Sequence, residues 1–294
     1  PQGTWAAVAP MPVSRFDLAV VAHPNGRIYA IGGNYTAEHR PLNHVEAYDP
    51  DADTWTAVAP MPTVRGGPAA AVGPDGLIYV FGGHDRDAVP LDTVEAYDPD
   101  TDTWSTKAPM PTARRFLAAA TGSDGRIYAI GGGTGPGVAV DTVEAYDPVT
   151  DTWAAAASMP TERYVLAAVA SSADGRIYAI GGKNSATSGL DTVEAYDPGT
   201  DTWTAEPSMS TGRYNPAAAV GLDGLIYVIG GVTDSETLTL ASVEVYDLAG
   251  WSAADPMPTA RESLGAATGA DGRIFTIGGY DSGQHLQIVE AYTP

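Results

Sequence analysis

The sequence predicts an all-β chain, a closed ring of six blades with four antiparallel strands each. Three observations predict it. A double glycine recurs at Gly32-Gly33, Gly82-Gly83, Gly131-Gly132, Gly181-Gly182, Gly230-Gly231 and Gly278-Gly279. The first glycines of these pairs lie 50, 49, 50, 49 and 48 residues apart, a period that marks a radial array of small sheets. A turn pair sits between two apolar runs just before each double glycine, at Asn25-Gly26, Asp75-Gly76, Asp124-Gly125, Asp174-Gly175, Asp223-Gly224 and Asp271-Gly272. Such pairs suit a tight I′ hairpin, because glycine tolerates positive φ.

Residues 65–104 show one unit in full. After Arg65, the small residues around AAAV form strand a. The turn at Asp75-Gly76 leads into strand b, around IYVFG. A variable loop follows, then strand c around VEAY, a turn DPDTDT, and strand d, which begins at Trp104. Small residues in strand a and Tyr and Trp in strands c and d fit a wedge, narrow at an axis and broad at the rim. Pro68 and Pro216 fall in the expected strand a, which is tolerable only at a sheet edge such as a channel lining.

The chain opens with Gly3-Thr4-Trp5-Ala6-Ala7-Val8, a strand d with no blade before it. It closes with Val289-Glu290-Ala291-Tyr292, a strand c with no strand d after it. Pairing the two ends would complete the sixth blade and leave no open sheet edge. The expected organisation is a single domain over 1–294: blades at 11–60, 61–109, 110–158, 159–208, 209–256 and 257–294, the last completed by 1–10.

Composition narrows the function. There are no cysteines, which excludes disulfides, zinc-thiolate sites and cysteine nucleophiles. A net charge of −21 argues against nucleic acid as a partner. No apolar run of membrane-spanning length occurs, so no membrane insertion is expected. The chain starts at Pro1 rather than Met, as a trimmed product or one domain of a longer protein would. The compartment stays open, with an extracellular or periplasmic one favoured, and a monomer is expected.

The motif resembles the kelch repeat: four apolar positions ending in a double glycine, then Tyr and Trp in register. Tyr48/Trp55, Tyr97/Trp104, Tyr146/Trp153 and Tyr196/Trp203 are each seven apart, while Tyr246/Trp251 is two residues shorter. Tyr292 meets Trp5 only through closure. The resemblance covers the whole chain and implies a six-bladed kelch β-propeller. It implies little about activity, since kelch propellers include enzymes, scaffolds and adaptors. A galactose-oxidase-like copper radical centre needs a cysteine. A nitrile-specifier-like iron site needs Glu, Asp and His at a spacing this chain lacks. A sialic-acid-mutarotase-like isomerase stays open.

Each unit carries one arginine (Arg15, Arg65, Arg114, Arg163, Arg213, Arg261) and one strand-c glutamate (Glu46, Glu95, Glu144, Glu194, Glu244, Glu290). The bland reading pairs them, since buried charges need partners. The sharper reading leaves guanidinium groups at the channel mouth to hold carboxylate or phosphate, as the resemblance to peptide-gripping kelch domains implies. Most aspartates fall in the c–d and a–b turns, predicting one acidic face. Asp49-x-Asp51-x-Asp53 lacks the glycine and glutamate of a calcium loop, and Asx turns explain it.

Function can reside where the repeats disagree. The candidate ligand-binding residues are the six arginines with Phe16, Arg115, Phe116, Tyr164, Tyr214, Asn215 and Glu262 from the d–a segments. Tyr35, His84, Asp85, Lys183 and Tyr280 join them from the b–c loops. Together they predict an axial mouth of aromatic platforms and scattered charge. Histidines 23, 39 and 44 fall in the first unit and 84 and 285 in the second and sixth, and no His-x-His or His-x-x-x-His pair occurs, so neither metal nor cofactor is expected. His84, beside Asp85, and Glu262 are the acid–base candidates. The leading expectation is a non-catalytic domain that recognises an acidic peptide or acidic glycan. The alternatives are a carbohydrate-active enzyme at the same mouth and a structural repeat of a larger surface protein.

Overall fold

In the computed structural model, which describes residues 2–35, 40–233 and 238–294, every repeat is a four-stranded antiparallel meander. Strands a to d of blade 1 are Ala19–Ala22, Ile28–Ile31, Val45–Asp49 and Thr54–Ala57. Blade 6 comprises Gly265–Thr268, Ile274–Ile277, Val289–Thr293 and, from the other end of the chain, Thr4–Ala7. Trp5 pairs with Tyr292 in that last ladder, and their ring centroids lie 5.0 Å apart. The ends therefore close the ring.

Burial follows the wedge. Strand b is fully buried in each blade. Its apolar runs, broken only by Thr276 in blade 6, reflect a strand covered on both faces. Strand a alternates and adjoins strand a of the neighbouring blades around the axis. Only small side chains fit this inner circle. A Cβ on Gly265 would lie 2.1 Å from Cγ2 of Val20, so the valine of blade 1 is matched by a glycine in blade 6. Pro68 and Pro216 stand just before strand a rather than in it, since those strands start at Ala69 and Ala217. The core is six inter-blade layers. One joins Tyr79, Phe81 and Val94 of blade 2 to Leu117, Ile127 and Tyr146 of blade 3.

The double glycine is a blade-to-blade contact. Gly83 donates its N–H to the carbonyl of Arg114 in the next blade at 2.9 Å. A Cβ on Gly82 would sit 2.3 Å from that same oxygen, and both glycines have positive φ. Sterics and backbone conformation thus demand glycine together.

The a–b turns differ from the expected I′ type. Gly26 has φ +87° while Asn25 is not left-handed. Gly26 N–H bonds to His23 O, and His23 N–H to Arg27 O. This is a type I turn followed by a left-handed glycine, the longer hairpin that a G1 bulge produces. Each turn aspartate also anchors a strand-b tyrosine where one exists, as Asp75 accepts from Tyr79 OH at 2.7 Å.

On the same face, the c–d turns latch blades together. Asp102 Oδ1 accepts from Tyr97 OH and from the N–H of Ala59 in the preceding blade, both at 2.7 Å. Trp104 Nε1 donates to Ala59 O at 2.8 Å. Asp49, Asp98, Asp147, Asp197 and Asp247 cap their own turns, the Asx reading of the acidic motif. Blade 5 departs. The residue equivalent to Ala59 is Pro207, which has no N–H to give, and the shortened turn has no matching aspartate. Glu206 accepts from Tyr246 OH instead, at 2.8 Å, and pairs with Arg176. Arg273, in an a–b turn, donates to Pro50 O in a c–d turn at 3.2 Å, so both turn sets share one face.

Candidate functional site at the axial mouth

The opposite face is organised by bridges between the two variable positions of each blade. Phe16 pairs with Asn34, Gly66 with His84, Arg115 with Gly133, Tyr164 with Lys183, Tyr214 with Val232 and Glu262 with Tyr280. These bridges bring the residue after each ring arginine against the residue after each double glycine. The next residue along, at Asp17, Gly67, Phe116, Val165, Asn215 and Ser263, has a left-handed φ of 50–58°. Each of these six donates its N–H to the carbonyl of its counterpart in the preceding blade, at 2.9–3.1 Å. The result is a closed hydrogen-bonded collar around the axis. Five of its members are not glycine. Val165, being β-branched, is the one held furthest from its preference.

Above the collar lies a cavity of about 290 Å³. It is lined by Phe16, Asp17, Phe116, Tyr164, Val165, Lys183, Asn215, Glu262, Ser263 and Tyr280. No residue of blade 2 contributes. There Gly66 and Gly67 have no side chains, and Asn34, His84 and Phe116 fold into the space. A Cβ on Gly66 would meet Asn34 Oδ1 at 2.3 Å and His84 Nε2 at 2.6 Å, and one on Gly67 would meet the Phe116 ring at 2.5 Å.

Among the described residues of the lining, Lys183 is the one cation. Its ammonium lies 4.4 Å from the ring centroid of Tyr214 and 5.4 Å from that of Tyr164, held by the negative faces of two rings. It makes no ion pair among the described residues. Glu262 faces the same space, and Asn215 Nδ2 donates to its Oε2 at 2.8 Å. Burial raises the pKa of this carboxyl, with Asp17 adding to the rise and Asn215 and Lys183 opposing it. Phe16 and Tyr280 form a tilted pair with centroids 5.3 Å apart. The cavity thus combines aromatic faces, one ammonium, one hydrogen-bonded carboxyl that resists ionising, and the carboxylate of Asp17.

Several expected site residues lie elsewhere. Arg15, Arg65, Arg114, Arg163, Arg213 and Arg261 have no exposed surface, so they cannot act as a guanidinium ring at the mouth. Each pairs with its own strand-c glutamate. Arg114 is typical: Nη2 reaches Glu144 Oε2 at 2.7 Å, and Nη1 donates to the carbonyls of Gly131 and Thr142 at 2.8 and 2.9 Å. Thr112 Oγ1 donates to the other oxygen of Glu144 at 2.8 Å. Carbonyl ends left over by the double glycine are thereby satisfied. Burial lowers each guanidinium's pKa, and the glutamate counters that shift.

His84 is 3% exposed and lies behind Phe116, with Nδ1 2.9 Å from Asp85 O. It does not line the cavity, so it has no access to a ligand there. Asp85 caps its own loop through the N–H groups of Asp87 and Val89. Tyr214 is buried beneath Lys183. Arg115 stacks on Phe116 and donates to Ala88 O. Tyr35 borders a different groove, between blades 1 and 2. His39 lies outside the described residues. The mouth therefore unites Phe16, Phe116, Tyr164, Lys183, Asn215, Glu262 and Tyr280. Asp17, Val165 and Ser263, each the second of the two variable positions after a ring arginine, complete it.

Comparison with known proteins agrees with this architecture. A family model described as the KLHDC2/KLHL20/DRC7 Kelch-repeats domain matches residues 4–159, and the Kelch motif matches 166–210 and 213–252. No curated protein sequence matches significantly. Among solved structures, one titled "Structure of YjhT" superposes with a TM-score of 0.80 at 18% identity, over 97% of this chain and 95% of that one. That identity supports the fold alone. With a family model covering more than half of its length and six double-glycine blades closed into a ring, the chain belongs to the kelch-repeat family of β-propellers.

Proposed function

We propose that the axial mouth is a recognition site for a single acidic sugar unit, such as the terminal residue of an acidic glycan. The observation that carries this is Lys183, an ammonium fixed over two tyrosines at the wall of an aromatic cavity. One carboxylate would meet one ammonium in a charge-assisted bond. A sugar ring would lie on the aromatic faces, and Asn215 and Ser263 can hydrogen-bond hydroxyls. An acidic peptide fits less well. Burial of the six arginines leaves one cation among the described residues of the cavity, and Asp17 and Glu262 would repel a run of negative charge.

Calorimetric titration with glucuronic acid, galacturonic acid and glucose tests the reading. The acids should bind better than glucose, and Lys183→Met should weaken their binding at least about tenfold, as loss of a charged hydrogen bond does. Equal affinity for acid and neutral sugar, or an unaffected Lys183→Met variant, would overturn it. Glu262 favours a second reading, an isomerase for such a sugar, because a carboxyl that stays protonated to higher pH can donate and accept a proton. Turnover lost in Glu262→Gln with binding retained would establish that role. Absence of turnover in the unaltered protein would leave recognition as the whole function.

A further inference from the structure

One a–b turn departs from the rest. Blades 2 to 6 carry Asp-Gly there, whereas blade 1 carries Asn25-Gly26. Asn25 is also the only one of the chain's five asparagines that precedes a glycine. The polar frame around it is nonetheless the one that seats an aspartate elsewhere. Arg27 N–H donates to Asn25 Oδ1 at 3.0 Å. In the same way Leu77 N–H donates to Asp75 Oδ1 and Arg126 N–H to Asp124 Oδ1, both at 3.2 Å. The bond to the strand-b tyrosine runs the other way. Tyr79, Tyr128, Tyr178 and Tyr227 donate their hydroxyls to the turn aspartate at 2.7–2.8 Å. In blade 1 Asn25 Nδ2 donates to the Tyr29 hydroxyl oxygen at 2.9 Å.

We infer that Asn25 is a modification site at which the chain's own backbone converts the amide into the aspartate of the other blades. The approach is open. Asn25 is exposed to water, and a Cβ on Gly26 would meet nothing within 4 Å. Gly26 N gives up its bond to His23 O, loses its proton to solvent base and attacks Asn25 Cγ. The new N–Cγ bond puts negative charge on Oδ1, where the Arg27 N–H already points. The Cγ–Nδ2 bond then breaks as Tyr29 OH supplies a proton, and ammonia leaves. Water opens the cyclic imide by cleaving the N–Cγ bond, and Tyr29 regains its proton from solvent. The net change consumes one water and turns an amide into a carboxylate and ammonium. Tyr29 can then donate to the new carboxylate as its four counterparts do.

The turn also selects the product. Water attack at the main-chain carbonyl of Asn25 would instead route the backbone through Cγ and lengthen the turn by a methylene. Three bonds oppose that. His23 N–H donates to Arg27 O at 2.8 Å, and Asn25 N–H donates to His23 Nδ1 at 3.1 Å. With Nδ1 accepting, His23 Nε2 carries the ring proton and donates to Gly76 O of blade 2 at 2.8 Å. Other blades have glycine or serine where blade 1 has His23, so this clamp belongs to the one turn that carries asparagine.

The test ages the intact chain at mildly alkaline pH, with the same chain unfolded in urea as reference. Mass spectrometry follows the tryptic peptide spanning 16–27, and electron-transfer fragmentation separates aspartate from isoaspartate. The folded chain should gain aspartate at 25 with little isoaspartate, whereas the unfolded chain should yield mostly isoaspartate. Tyr29→Phe copies Phe275, which holds the same register in blade 6. It should convert at least about tenfold more slowly, as loss of a positioned proton donor does. Asn25→Asp should melt no lower than the parent at neutral pH, because five blades already seat that residue. An Asn25 that persists in the folded chain while the urea sample converts would overturn the inference. So would isoaspartate as the main folded-state product, an unchanged rate in Tyr29→Phe, or an Asn25→Asp variant that melts earlier.

Discussion

Arg114 carries a charge into a position with no exposed surface, and its worth depends on Glu144. An ion withdrawn from water loses several kcal/mol of solvation, which its partner and the surrounding carbonyls must offset. Arg114→Met leaves Glu144 buried beside Thr112 without its cation. The expected loss is about 3–5 kcal/mol in denaturant unfolding. The double variant Arg114→Met/Glu144→Leu should recover much of it, since an apolar pair of similar volume needs no compensation. A double variant no more stable than the single one would show that the arginine acts mainly through the carbonyls of Gly131 and Thr142. The one-to-one match of arginines with glutamates was legible in the sequence because it recurs in every repeat. That the arginines turn inward was one of the two readings the sequence left open; what decides it, the carbonyls that the double glycine leaves facing the next blade, was not legible. His84 was misplaced for a related reason. The space it fills exists only because blade 2 has glycine at 66.

At the scale of the element, the c–d turn is a joint as well as a reversal of direction. Asp53, Asp102 and Asp201 each accept from a backbone N–H of the preceding blade and from a tyrosine of their own. Those bonds, the backbone one foremost, hold the three carboxyls below the usual range. A carboxyl whose folded pKa lies below its unfolded one adds stability above the unfolded value, and loses it as pH falls through the folded value. Stability should therefore decline from about pH 4 downward. Asp102→Asn keeps an acceptor and removes the titration, so its acid limb should be shallower than the parent's in pH-dependent thermal melts. An identical acid limb would mean that Asp102 contributes nothing to it. The tyrosine–tryptophan register that frames this joint was readable from spacing. The exchange in blade 5, where Glu206 serves Tyr246, was not, because it depends on Pro207 lying where other blades offer an N–H.

For the whole molecule, the decisive contact joins the first strand to the last. Thr4–Ala7 covers the edge of Val289–Thr293, and Trp5 packs on Tyr292. Deleting residues 2–10 should expose that edge and yield a species that self-associates, seen as larger particles in size-exclusion chromatography with light scattering. A truncated chain that stays monomeric with an unchanged melting profile would show that closure is dispensable. The mismatch between chain ends and blade boundaries announced this closure in the sequence. The composition of the mouth was only half legible. Lys183, Glu262 and the aromatic residues stood out as departures from the repeat, whereas the collar below them depends on backbone angles that side chains such as Val165 would not choose alone.

That collar sets how the aperture can behave. Its six amides point the same way around the axis, each leaning on its neighbour, so no blade can tilt outward without breaking two links of the hoop. The opening should therefore keep a constant bore whether or not a guest is present. The six protons should also exchange with solvent at one shared rate, the signature of a part that yields all at once.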